Sequence, residues 1–124
     1  MALLWGPNST ASAPYEQSGV TIGGAEHSLV TNSIVIASIA TPACASVMIE
    51  STAMRAGDQF EIALIEKIIA GGPQRRVVIG QMVGLQDEPT VTPPLNILNG
   101  WDFTLTKLLG TDRAFTWSIR VVTP

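Results

Sequence analysis

Cysteine is almost missing from this chain: Cys44 stands alone among 124 residues, so no disulfide can close within it. Histidine is as scarce, with His27 the single one. Zinc centres draw three or four ligands from Cys, His and carboxylates, and so small a pool argues against any metal site; no cofactor is expected. Charge is thin as well, 14% of residues against about 25% in ordinary domains. Intrinsic disorder needs high charge and low hydropathy, and 46% of this chain is hydrophobic. Seven Lys and Arg against 10 Asp and Glu, net −3, leave no basic patch for nucleic acid. Nor is there a run of the ~20 apolar residues that spans a bilayer. Ile34 to Val47 comes nearest, and Ser38, Thr41, Pro42 and Ser46 interrupt it. The stretch Met1 to Pro7 has no basic region and too short an apolar core for a signal peptide. A soluble, unexported chain is therefore expected.

What is present is period-2 alternation from Val20 onward, the mark of half-buried strands. Ser33 to Ile39 is β-branched and predicts a strand ending at Thr41-Pro42. Ala45 to Thr52 predicts a second, with Val47 and Ile49 on one face. Phe60, Ile62 and Leu64 alternate against Glu61 and Ala63, Ala70 to Pro73 makes a glycine turn, and Gln74 to Val83 returns as partner strand. Ser51 to Asp58 is too short for a helix and reads as a crossover loop. Thr90 to Pro94 can only lie at a sheet edge, because proline donates nothing to a ladder. Leu95 to Leu98 is a short strand closed by Asn99-Gly100. The last hairpin is the clearest: Trp101, Phe103, Leu105, Lys107 and Leu109 share one face, then Phe115, Trp117, Ile119 and Val121 return on it.

About eight short strands with regular turn signals predict an all-β fold, an antiparallel β-sandwich. A jelly roll is the leading topology and an immunoglobulin-like sandwich the second. Residues 1–18 differ: polar, broken by Pro7 and Pro14, and without periodicity. They predict an extended N-terminal arm ahead of a sandwich domain over 19–124. Its apolar side chains Leu3, Leu4, Trp5 and Tyr15 are the candidate interface residues, with Tyr15 off the sheet, since aromatic anchors in polar tails suit protein contacts.

Chemistry is harder to find. The ten carboxylates are scattered singly among turns and outward strand positions, whereas acid–base work needs two in one pocket. Asp87-Glu88 reads as a solvated turn, and Asp112 as a partner for turn amides. His27 reads as a hydrogen-bonded residue opening a strand. Gly23-Gly24 and Gly71-Gly72 lead into no helix, so neither is a phosphate loop. Arg75-Arg76 faces Glu66 and Lys67 across its hairpin. Cys44 reads as a small buried hydrophobe, and Trp101 and Trp117 as core rings. No catalytic residue is assigned. With so thin a polar coat, the second sheet face is expected to be covered by partners.

Residues 19–122 resemble small structural proteins of tailed bacteriophages. The likeness lies in Gly19 to Ile22, Arg55 to Ile62, Asn99 to Leu105 and Gly110 to Arg120. It implies a non-enzymatic virion protein made in the host cytoplasm, a capsid decoration (cement) protein on the capsid exterior. Its partners would be the major capsid protein and further copies of itself, as a homo-oligomer (dimer or trimer), with no nucleic acid and no membrane. Two alternatives are a glycan- or receptor-binding module of a tail or head fibre, which requires exposed Trp101 or Trp117, and a small sandwich hydrolase, which requires converging carboxylates.

Overall fold

The computed structural model describes residues 9–123. Among them are nine strands and no helix: β1 (Thr10–Ile22), β2 (His27–Ser28), β3 (Ala43–Glu50), β4 (Gln59–Lys67), β5 (Gln74–Val83), β6 (Thr90–Val91), β7 (Leu95–Ile97), β8 (Asp102–Leu109) and β9 (Arg113–Thr123). They form two antiparallel sheets. Sheet A runs β1-β9-β3-β6 with β7 also on β3, and sheet B runs β2-β8-β4-β5. The chain passes between sheets after β1, β2, β3, β5, β7 and β8, so first and last strands end side by side. That interleaving is the jelly roll, with β6 and β7 sharing one strand position.

Alternation decides what fills the space between the sheets. Ala43, Ala45, Val47 and Ile49 of β3 are buried, as are Phe115, Trp117, Ile119 and Val121 of β9. From sheet B come Phe60 and Ile62 of β4 and Phe103 and Leu105 of β8. Phe60 and Phe115 meet edge to face across the core at 4.7 Å between ring centres, a favoured aromatic geometry. Both inward tryptophans keep their N–H satisfied: Trp101 Nε1 donates to Thr41 O, and Trp117 Nε1 to Leu29 O, each at 3.0 Å. The β4–β5 hairpin forms as expected, but β8 and β9 form no hairpin: β8 pairs with β2 and β4 in sheet B and β9 with β1 and β3 in sheet A, so their inward faces meet across the core. Leu109 at the far end of β8 is exposed.

Four further expectations need correction. Residues 33–39 form no strand; only Ser33 and Ile39 make isolated bridges, to Ser28 and Trp101. This stretch carries the chain from sheet B to sheet A, and Ala37 N donates to the Asp102 carboxylate at 2.9 Å instead of to a ladder. β-Branched composition suits a strand, but here the crossover takes the backbone elsewhere. Tyr15 is on the sheet, not off it: it pairs with Ile119 in β1 and stands edge-on to Trp101 at 6.2 Å. The expected boundary between arm and sandwich at residue 18 falls inside β1, whose Thr10 to Gln17 already pair with β9. Irregularities between Ser12 and Tyr15 and between Gln17 and Val20 accommodate Pro14 and mask any simple period. Leu3, Leu4 and Trp5 lie outside the described residues. Finally, Asp58 and Asp102 are buried, not outward.

Candidate functional site

The residues singled out for chemistry are mostly structural. His27 opens β2 with Nε2 2.8 Å from Asn32 Oδ1 and its ring against Trp117. Asp102 is fully buried and accepts from the amides of Ala37 and Phe103. Burial raises its pKa above the ordinary aspartate value, against the opposing pull of hydrogen bonds from Ser28, Ala37, Phe103 and Val30. Asp58 has the opposite setting. Its carboxylate accepts from Arg113 Nε at 2.6 Å and from the amides of Arg55 and Thr111 at 2.8 and 3.1 Å. The Arg113 hydrogen bond, then those amides, hold its pKa down to about 2. Asp112 takes Lys107 Nζ at 2.6 Å rather than a turn amide. Asp58 and Asp102 thus bind backbone of neighbouring connections and act as staples.

One polar cluster was not visible in sequence. Glu26 Oε2 accepts from Arg76 Nε and from Thr104 Oγ1, each at 2.6 Å, and Arg76 also pairs with Glu61. Glu26 and Arg76 are 50 residues apart, so no local spacing announces them. Arg76 thereby engages both carboxylates, which stabilises its own charged form. Among the described residues no group of three Cys, His, Asp or Glu is placed to hold a metal ion.

The feature with room for a ligand is the outer face of sheet A. On it alternate Cys44, Ser46, Met48 and Glu50 of β3 and Thr116, Ser118, Arg120 and Val122 of β9; Glu16 of β1 lies opposite Ser118. Short side chains at most of these positions leave the face low, while Pro89 and Pro94, flanking β6, stand at its side. Two depressions result, of about 560 Å³ and about 450 Å³, which meet at Arg120. The larger offers the hydrogen-bonding groups of Glu16, Gln17, Glu50, Thr116 and Ser118. The smaller is apolar, lined by Ala11, Ala13, Cys44, Pro94 and Val122. Cys44, half-buried, is part of that floor.

Trp101 and Trp117 are each 2% exposed, and Phe60, Phe103 and Phe115 are fully enclosed. They are core rings, as their strand faces predict. Neither tryptophan is offered as an exposed stacking platform.

No family model and no curated protein matches this sequence. Among solved structures, the Clostridium thermocellum N-terminal endo-1,4-β-D-xylanase 10B, CBM22-1–GH10 modules complexed with xylohexaose, is similar at 10% identity and a TM-score of 0.45. The match covers 96% of this chain and 25% of that one, so this chain spans about a quarter of its length. The fold stands on the strand pairing itself.

Proposed function

We propose that this protein is a non-enzymatic structural module that acts by binding a larger protein assembly, the capsid shell that its resemblance to bacteriophage proteins implies. One observation carries the assembly reading: large apolar side chains stand exposed in adjacent pairs. Ile34 and Val35 lie on the crossover, Ile68 and Ile69 at the β4–β5 turn, and Val77 and Val78 on the edge strand β5. Isolated exposed apolar residues are ordinary, but doublets on a thinly charged surface fit contact with other protein. A module that binds only the assembled shell stabilises that shell by mass action. The distribution of acids supports the non-enzymatic part, since the buried Asp58 and Asp102 hold backbone amides and the buried Glu61 pairs with Arg76.

The test is co-sedimentation of the purified protein with capsids that lack it. Saturable binding at a fixed ratio to the major capsid protein, lost from unassembled capsid subunits, is the expected result. No binding to particles overturns the capsid reading.

The larger depression on sheet A favours a second reading, a glycan-binding module. Carboxylate, amide, guanidinium and hydroxyl groups converge there on one open groove, the kind of polar set that orients a ligand. Titration with a panel of soluble oligosaccharides, followed by amide chemical shifts, decides it. Shifts confined to Glu16, Glu50, Ser118 and Arg120 are expected on this reading, and an unmoved spectrum removes it.

A further inference from the structure

The turn joining β4 and β5 is an apolar tip with basic flanks. Lys67 and Gln74 close the ladder, so residues 68–73 project past the end of sheet B. Ile68 is 81% exposed, and Ile69 beside it 67%. The turn is nonetheless held: Gly72 N donates to Ile69 O at 3.0 Å, and Gly71 takes a φ of 80° that favours glycine. Lys67 and Arg75 flank the tip, and neither joins any of the ion pairs among the described residues.

A receptor of matching chemistry lies elsewhere on the same molecule. The apolar depression of about 450 Å³ on sheet A has room for two isoleucine side chains. Beyond Arg120 the groove continues between Glu16 and Glu50, which likewise join no ion pair among the described residues. An apolar tip flanked by two cations therefore meets an apolar groove continued by two anions. Arg120 at the junction is the one like charge in the way, and the acids outnumber it. The tip belongs to sheet B, whereas the groove faces away from sheet B across a sandwich about 10 Å thick between sheets. A chain cannot reach its own groove, and the fitting occupant is a second copy.

We propose that the protein self-associates head to tail, the Ile68–Ile69 tip of one copy seated in the sheet A groove of the next. Such a contact is heterologous: it closes into a ring if the rotation permits and otherwise extends as a filament. It stands independently of whether the larger partner is a capsid.

Two variants and their mixture test this. I68E/I69E spoils the tip, whose exposure keeps the fold out of the question, and S46W fills the groove from its floor. Sedimentation velocity at rising concentration should show wild type associating, more weakly in high salt, and each variant monomeric. An equimolar mixture should form a one-to-one dimer, the intact tip of S46W entering the intact groove of I68E/I69E. A two-fold symmetric contact would instead stop wild type at the dimer, whereas the head-to-tail contact carries it to larger species. If S46W fails to fold, E16K/E50K spoils the groove at exposed positions and takes its place. Wild type monomeric throughout, a variant that still self-associates, or a mixture that stays monomeric overturns the proposal.

Discussion

Asp58 and Arg113, 55 residues apart in sequence, meet at 2.6 Å and tie the entry to β4 to the start of β9. Asp58 is 2% exposed, so its carboxylate is enclosed at the end of the sandwich, while the Arg113 side chain is 26% exposed. The same carboxylate takes the amides of Arg55 and Thr111, and Asp58 O accepts from Gly84 N at 2.8 Å. Three connections from both sheets therefore converge on one aspartate, and its chemistry shapes the acid stability of the fold.

Because its pKa is lowered from 3.8 to about 2, Asp58 stabilises the folded state above pH 3.8. That contribution is lost as pH falls through about 2. Carboxyl NMR titration of the native protein should place Asp58 near 2, and in R113M the value should move back toward 3.8. An unmoved value in R113M refutes Arg113 as the main cause.

Gly110 sits against this staple with φ 92°, and a Cβ there would run into Asp58 Oδ1 and its Cα. Gly110→Ala should therefore cost about 1–3 kcal/mol, combining left-handed backbone strain with displacement of the carboxylate. Gly71→Ala is the control: φ is 80° and nothing lies within 4 Å, so about 1 kcal/mol is expected. Urea unfolding of both variants checks the ranking, and equal losses would show that Asp58 simply moves aside.

Asp102 works with the opposite sign. Burial raises its folded pKa above 3.8, so the folded state holds the proton more tightly than the unfolded chain. Its contribution is greatest below that unfolded value and declines as pH rises through the raised folded one. D102N, which cannot ionise, should gain on wild type between about pH 4 and pH 7. Urea midpoints at the two pH values measure this, and a gap moving the other way would mean that the amides of Ala37 and Phe103 outweigh burial.

Phe115→Ala removes a fully enclosed ring that stacks edge-on to Phe60. The expected loss is about 3–5 kcal/mol, a large part of the roughly 5–15 kcal/mol that holds an ordinary domain together. Thr116→Ala, one residue on and facing outward, loses the bond from Gly19 N at 3.0 Å and the long one to Ser18 Oγ at 3.4 Å and should cost about 0.5–1.5 kcal/mol. Chemical unfolding of the pair tests the facing of β9, since comparable losses would contradict it.

The strands were legible where alternation is regular. Phe115, Trp117, Ile119 and Val121 announce a buried face by spacing alone, and the β4–β5 hairpin follows from its two strands and the glycines between them. Ser33 to Ile39 misleads for a physical reason: β-branched residues favour extended backbone, but extended backbone becomes a strand only with a neighbour to pair. Tyr15 misleads in the other direction, because Pro14 and two irregularities in β1 hide a strand that β9 supplies with partners from the far end of the chain.

Sequence by itself determined that the fold is all-β, which faces of β8 and β9 turn inward, and that a sandwich results. Those properties follow from side-chain alternation and turn chemistry, which are local. Tertiary structure alone decided that Asp58 and Asp102 are buried staples with opposite responses to pH, and that Glu26, Arg76 and Glu61 form one cluster. It also decided that the outer face of sheet A is a groove with Arg120 at its centre. Each depends on which connection crosses which sheet, and long-range packing fixes that at separations where no sequence period operates.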